Sequence, residues 1–431
     1  MKIRIGIALA LLVTLYISCE RLTQPRLGGE AFTLQEAVTL VTESYLRLHA
    51  GQVVPGSTLR VYRNGEMLWQ KPYTAADSIV YDSTLAPAHT YTYRVELWSG
   101  SRQLARSNAV TVTTLDTTSH DFEWEIIEFP SPYGTGVLYD VAIINEHDIW
   151  AVGRIFSDDS VPWLPYNAVH WDGEKWELKR IKSIICGNGS EIISPISSVY
   201  YEGGTRIIFS DGGEIIELLN DTFYRDCSVN KYLSGYITKI LSIRGNLYAI
   251  GENGTVTYKD QNKWEKVEVE TGLNLYDIAV VDDRGTVAII GSNTIADYPP
   301  QNVLFTVRGN RVIRYIPIGI DEYFGSIWIS PEGVWFISDQ GVYRGLAVTG
   351  FQWKTITPPE DFGIAEIDGN GYNDFFTVGG MGEVFHYNGM TWKQIGTEFY
   401  GTLGTLSVYG DLMVAVGIKE GSGVILTAKR K

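Results

Sequence analysis

The sequence predicts an all-β protein, a small β-sandwich followed by a seven-bladed β-propeller that an N-terminal strand closes. Three observations carry this. Residues 31–115 alternate apolar and polar side chains with the period of two that a half-buried strand requires. Beyond residue 121 an apolar strand recurs seven times, as WAVG at 150–153, IFSD at 208–211, YAIG at 248–251, AIIG at 288–291, FISD at 336–339, FTVG at 376–379 and VAVG at 414–417. A strand-sized segment, EWEIIEF at 123–129, stands before the first repeat and has the pattern that the last repeat lacks. Composition agrees with a folded chain, since 45% hydrophobic and 20% charged residues over 431 positions fit neither disorder nor a membrane bundle. A formal charge of −15 without any Lys/Arg-rich run excludes nucleic acid as a partner, because neutralising phosphates takes clustered cations.

Residues 1–18 read as a signal peptide: Lys2 and Arg4 give the positive start, Ile5 to Ile17 an apolar run of 13, and Ser18 a small residue before Cys19. That run is too short for a bilayer span, which needs about 20 apolar residues, and no later stretch is uninterrupted for that long. Tyr16-Ile17-Ser18-Cys19 resembles the lipobox of bacterial lipoproteins. The resemblance implies that Cys19 is acylated and that residues 19–30 are a lipidated tether. It also implies a place in the bacterial cell envelope, periplasmic or surface-exposed, with the lipid as the sole membrane contact. An ordinary signal peptide cleaved nearby is the other reading. If Cys19 carries the anchor, the three cysteines leave a pair, Cys186 and Cys227, which an oxidising compartment would join. Two separately buried thiols are the alternative.

Residues 31–115 supply the strands AVTLV, SYLRLHAG, STLRVYR, EMLWQK, TYTYRVELW and NAVTVTTL. Asn64-Gly65 lies between two of them and suits the paired positive φ values of a type I′ hairpin. The run YDSTLAPAHTYTYRVEL resembles a fibronectin type III domain, with Leu85, Pro87 and Tyr91 in its tyrosine-corner pattern. The Trp common on the second strand of that family is absent, which leaves Leu46 or Leu48 to fill the core position. The resemblance implies a spacer or binding module without catalysis.

After a short polar linker, residues 122–431 form the repeat array. The spacing of about 40–45 residues with four short strands per unit is the signature of a propeller. Each unit turns from its third strand through an Asp-Gly, Asn-Gly or similar hairpin into a fourth that opens on Trp, as at Trp176, Trp264, Trp353 and Trp392, with Phe223 and Val312 in their place elsewhere. Recurrence at one strand position points to packing between blades. The seventh unit has three strands, so the Trp124 strand would complete it and remove the open sheet edges. The array resembles bacterial extracytoplasmic propellers built from D-[IV]-W-A-V-G and [HY]-x-[DN]-G-x-x-W repeats, a group whose fold implies little about function.

Length variation falls on one face, where second-to-third-strand loops and blade-to-blade connections emerge: 154–167, 183–195 and 292–302. Long loops on a rigid scaffold are where binding residues concentrate, and these offer Phe156, Trp163, Tyr166 and Tyr298, stiffened by Pro162, Pro165, Pro299 and Pro300. Passive insertions, with Trp163 folded against its blade, are the alternative. His170 and His386 occupy matching positions in two blades and so do not converge on one metal. Asp368 to Asp374 has the spacing of a calcium loop without its distal Glu, and an Asx/Gly turn is favoured. No metal, cofactor or catalytic residue is expected. Acidic residues are plentiful, but no spacing singles out a pair, and GxSxG, phosphate-loop and HExxH motifs are missing. The sequence therefore suggests an exported, lipid-anchored binding or scaffold protein whose propeller engages a protein or glycan through the loop-rich face. A carbohydrate-active enzyme with its site at the channel mouth is the alternative, and a structural subunit of an envelope assembly a third.

Overall fold

A computed structural model describes residues 32–51, 53–159, 161–260, 263–293, 298–338, 340–359, 363–396 and 399–431. The expected signal peptide, Cys19 and the tether lie outside them. The chain divides into two compact units, one of Met1–Gln35, Arg47–Val80 and Tyr91–Thr111, the other of Glu36–Leu46, Tyr81–Thr90 and Val112–Lys431. Among the described residues no helix is long and apolar enough to cross a membrane.

Residues 32–114 form two antiparallel sheets. One runs Phe32–Thr39, Ser44–Ala50, Asp77–Asp82; the other runs Glu66–Pro72, Thr58–Arg63, Thr90–Ser99, Arg102–Arg106, with Val110–Thr113 also pairing to Thr90–Ser99. Asp77–Asp82 and Arg102–Arg106 escape the sequence reading because each buries a single apolar side chain, Val80 and Ala105, and so shows little alternation. Asn64 and Gly65 both take positive φ, 52° and 87°, at the turn where Arg63 pairs with Glu66. Leu46 and Leu48 are both fully withdrawn from solvent, and Leu85 is buried while Tyr91 lies half-buried beneath the Arg63 guanidinium.

From residue 122 the described chain builds a β-propeller of four-stranded antiparallel sheets, each strand paired to the next in sequence. Seven such sheets follow one another. The last is assembled from both ends of the region: Phe122–Phe129 pairs with Ser422–Arg430 along its whole length, from Phe129 opposite Gly423 to Phe122 opposite Arg430. The first three residues of every recurring apolar segment lie on a second strand and are buried. The fourth-strand aromatics share one register. Trp176 faces Trp171, Trp264 faces Lys259, Trp392 faces Tyr387 and Trp124 faces Ala428, while Phe223 and Val312 face Leu218 and Val307 at the equivalent place.

These side chains hold neighbouring sheets together. Trp264, only 2% exposed, packs with Ile208 and Ile215 of the preceding sheet and with Val229 of the connection that follows it, and donates its Nε1–H to Asp226 at 2.9 Å. Trp392 donates to the Ile356 carbonyl of its preceding sheet at 2.7 Å, and Trp176 packs with Leu412 and Val414 of the last sheet. Trp124 keeps the register but stays 41% exposed, so the closing strand is less deeply clamped than its equivalents.

Candidate functional site

Strands of an antiparallel sheet alternate in direction, so the start of each first strand and the end of each second strand lie at the same end of the sheet. The second-to-third-strand loops and the sheet-to-sheet connections therefore share one face. First strands line a central cavity of about 300 Å³, to which all seven sheets contribute.

At the loop-rich end of that cavity the structure places a ring that sequence reasoning missed. Asp140, Ser198, Lys239, Asp277, Ser326, Glu366 and Thr405, one from each sheet, pair with the third residue of the recurring second-strand tetrapeptide. Five of them, Asp140, Lys239, Asp277, Glu366 and Thr405, directly follow a break in register, the extra residue of a β-bulge that re-aims the next side chain. Those five sheets are the ones whose tetrapeptide ends in Gly. A Cβ on Gly251 would stand 1.9 Å from the Tyr236 carbonyl oxygen, and one on Gly417 1.9 Å from that of Thr402, so the bulge brings backbone where only hydrogen fits. The two tetrapeptides ending Ser-Asp belong to sheets without a break at that point, and both present Ser to the ring.

The ring is wired from sheet to sheet. Asp140 Oδ2 accepts from Ser198 Oγ at 2.8 Å and from the Val199 N–H at 3.0 Å, and Ser198 Oγ accepts the Ile240 N–H at 3.2 Å. Three sheets on, Asp277 Oδ2 accepts from Ser326 Oγ and the Ile327 N–H, both at 2.8 Å, and Ser326 Oγ accepts the Ile367 N–H at 3.3 Å. Asp368, one level deeper, accepts the Val408 N–H at 2.9 Å. Lys239 reaches across the cavity, its Nζ 3.2 Å from Asp140 Oδ1, 3.5 Å from Glu366 Oε1 and 3.5 Å from Thr405 Oγ1.

One ammonium thus serves four carboxyl groups in a confined space, and titration reflects the imbalance. Burial pushes Glu366 well above the usual carboxylate range, with Asp277 adding to the rise and Lys239 opposing it. Burial raises Asp277 as well, and lifts Asp368 to about 6. Burial alone would lower Lys239, but Asp140, Glu366 and Asp277 together hold it above the normal lysine value.

The loop candidates have separate fates. Trp163 is 73% and Tyr298 83% exposed, in loops of the first and fourth sheets. Tyr236, Ile316, Ile318 and Tyr400, in sheet-to-sheet connections of the same face, are likewise more than two-thirds exposed. Tyr166 is committed internally: its hydroxyl donates to Asp159 at 2.9 Å, and its ring lies under Arg180, which pairs with Asp159 at 2.7 Å. Phe156 is half-buried against Gly134, where its ring would stand 2.7 Å from an added Cβ.

Cys186 and Cys227 are joined in a disulfide. Glu214 approaches the same pair, and the three donor atoms lie within 4.8 Å of one another, but the bonded sulfurs offer a metal no thiolate. His170 and His386 hold matching positions, each 2.8–2.9 Å from an Asp of its own sheet, Asp148 or Asp374. Oxygens of the Asp368–Asp374 hairpin accept from protein donors: Asp368 from Gly369 and Val408, Asp374 from Asn370 and His386. No calcium cage converges there.

No protein-family model and no curated protein matches this sequence. Solved structures do. The chain superposes on YCF48 bound to a D1 peptide with a TM-score of 0.53 at 15% identity, over 72% of this chain and 97% of that one. It matches the WD40 β-propeller domain of Doa1 with a TM-score of 0.52 at 11% identity, over 72% and 97%. It also matches PorZ, a bacterial surface component of the type-IX secretion system of Porphyromonas gingivalis, with a TM-score of 0.50 at 9% identity, over 91% of this chain and 62% of that longer one. At these identities the likeness is one of fold.

Proposed function

We propose that this is an exported protein-binding scaffold whose propeller engages a partner polypeptide through its loop-rich face. The observation that carries the reading is the crowding of solvent-exposed Trp163, Tyr236, Tyr298, Ile316, Ile318 and Tyr400 on that one face, around a channel mouth with more carboxyl groups than cations. Exposed aromatic and aliphatic side chains on a rigid frame are what a protein interface buries, and the negative excess favours a partner segment with basic side chains. Two fold neighbours support it by what they do, one holding a peptide and the other serving as a bacterial surface component. In this reading the array is a seven-bladed propeller, residues 31–115 are a fibronectin type III-like spacer, and Cys19 carries a lipid anchor in the cell envelope.

A photo-crosslinking residue at Trp163, with a control at half-exposed Met390 in a hairpin of the opposite face, tests this in cells. A discrete protein adduct from Trp163 alone is expected. Equal labelling from both positions, or no adduct, removes the reading and turns attention to glycans. Fractionating the same cells checks the anchor: a Cys19→Ser variant retained with the membrane would exclude it.

A second reading is a carbohydrate-active enzyme, favoured by one observation: burial at the channel mouth raises the proton affinity of Glu366, the direction a general acid needs. Against it, Lys239 spans the cavity, and Asp140, Asp277 and Asp368 spend oxygens on backbone N–H groups of the next sheet. Release of reducing ends from polysaccharides that is lost in Glu366→Gln would establish it.

A further inference from the structure

Glu214 is a buried acid placed against a disulfide. It is 1% exposed and follows the Asp211-Gly-Gly turn of the second sheet. Its Oε1 accepts the Ile184 N–H at 2.8 Å, and its Oε2 stands 3.7 Å from Cys227 Sγ. The two cysteines differ in environment. Cys186 is exposed, near the tip of a hairpin in which Ser183–Ile184 pairs with Glu191–Ile192, whereas Cys227 is half-buried with the acid beside it. The base of this loop is held separately, since the buried Asn167 amide donates to the carbonyls of Ile181 and Ser194 at 2.8 and 2.7 Å.

We propose that the Cys186–Cys227 bond, with Glu214 behind it, is a thiol–disulfide exchange site that reacts with a thiol in solution. An incoming thiolate sulfur attacks Sγ of Cys186, the exposed residue of the pair, and forms a new S–S bond there. The Cys186–Cys227 bond breaks, its electron pair leaves on Cys227 Sγ, and the carboxylic proton of Glu214 moves to that sulfur. The products are a mixed disulfide at Cys186, a thiol at Cys227 and a Glu214 carboxylate. In reverse, Glu214 takes the proton back, the Cys227 thiolate attacks Cys186 Sγ, and the added thiol is expelled. A second thiol can instead attack the mixed disulfide, leaving the protein as a dithiol and the co-reactant oxidised.

Protonating the leaving sulfur matters because exchange slows as the leaving group becomes the poorer one, and a half-buried thiolate is costly. Burial lifts Glu214 to about 7; the Ile184 N–H and Arg225 pull it down while Asp211 pushes it up. The other charges nearby are paired among themselves, Lys182 with Glu191 at 2.7 Å and Asp226 with Lys259 at 2.8 Å. Glu214 is therefore divided between acid and base near neutrality, as a reversible exchange requires. Because the hairpin belongs to the loop-rich face, exchange would alter that surface, although the chemistry does not depend on what binds there.

The test uses the full native chain, reduced by glutathione from pH 5.5 to 8.5 and followed by peptide mapping at both cysteines, with rates divided by glutathione thiolate concentration. The expected wild-type constant falls on the order of tenfold as pH rises through the Glu214 transition, the modest factor suited to an already fair leaving group. Glu214→Gln should be slow and flat. Asp211→Asn, which keeps the oxygen that accepts the Gly213 and Glu214 N–H groups, should move the transition to lower pH. If Glu214→Gln fails to fold, the wild-type profile and Asp211→Asn decide. A flat wild-type profile, an unchanged slope in Glu214→Gln, or reduction that keeps pace with global unfolding overturns the proposal.

Discussion

Gly251 shows how a single hydrogen atom decides the geometry of this fold. Its backbone is extended, with φ of 177°, so conformational strain does not select glycine there. Space does, because the carbonyl of Tyr236 occupies the place of a side chain. The same contact recurs at Gly153, Gly291, Gly379 and Gly417, each time beside the bulge that turns a polar residue toward the channel. Gly251→Ala must push the first strand of its sheet away, and since backbone cannot yield as a flexible side chain does, a loss of about 1–3 kcal/mol is expected. Gly245→Ala, open around its Cβ but at φ of 79°, is a useful contrast in which strain alone acts. Urea unfolding of both variants checks this. A Gly251→Ala protein as stable as wild type would show that the bulge adjusts freely.

Among the elements, the closing strand has the largest consequence. Phe122–Phe129 is the outer strand of the last sheet, and Val424, Ile425 and Leu426 beside it are fully buried. Without it the sheet would end on a long apolar edge, a template for pairing with other chains. A variant that begins at residue 131 should elute as oligomers and lose its cooperative thermal transition, and a peptide of residues 122–129 added in trans should restore a monomer. Size-exclusion chromatography distinguishes this from a passive strand, whose removal would leave a monodisperse propeller. The modest burial of Trp124 suits such an element, because most of its hold is the ladder to Ser422–Arg430.

For the whole molecule, the channel ring makes stability depend on pH in an unusual direction. Glu366 and Asp277 have folded pKa values raised by burial, and Asp368 lies at about 6, so the folded state binds protons that the unfolded chain releases. Their contribution is present at low pH and is lost as pH rises through the folded values. Burial also lowers His386, and lowers His120 to about 4, which removes stability as pH falls below the normal histidine value. Wild type and Glu366→Gln share the histidines, so the difference between their thermal melts isolates the acid. Glu366→Gln should gain on wild type as pH rises above the normal carboxylate range, because only wild type has a proton to lose there. A difference that stays constant with pH would mean that folding leaves the proton affinity of Glu366 unchanged.

Periodicity alone disclosed most of the architecture. A second strand buried on both sides reads as an uninterrupted apolar tetrapeptide wherever it occurs, and a fourth strand that clamps the previous sheet needs a large side chain at one register. Trp176, Trp264, Trp392 and Trp124 therefore announce themselves, as does the hairpin at Asn64-Gly65, whose positive φ values admit few residues. The loop residues were legible as exposed or not only in part, because Tyr166 and Trp163 look alike until Asp159 and Arg180 are seen to claim the first. The channel ring was hidden for a different reason. Its members are Asp, Ser, Lys, Glu and Thr, with no shared chemistry to repeat, and a bulge shifts five of them out of simple alternation. A cue existed in LYDVA at 138–142 and LYDIA at 275–279, each ten residues or so before a tetrapeptide ending in Gly. Glu214 carried no cue at all, since its neighbours Cys186 and Cys227 come from either side of its sheet. Local pattern sets which strands form and which way they face, because those depend on near neighbours. Which charges meet is a property of ring closure, where residues about a hundred positions apart come within 3.5 Å in a buried space.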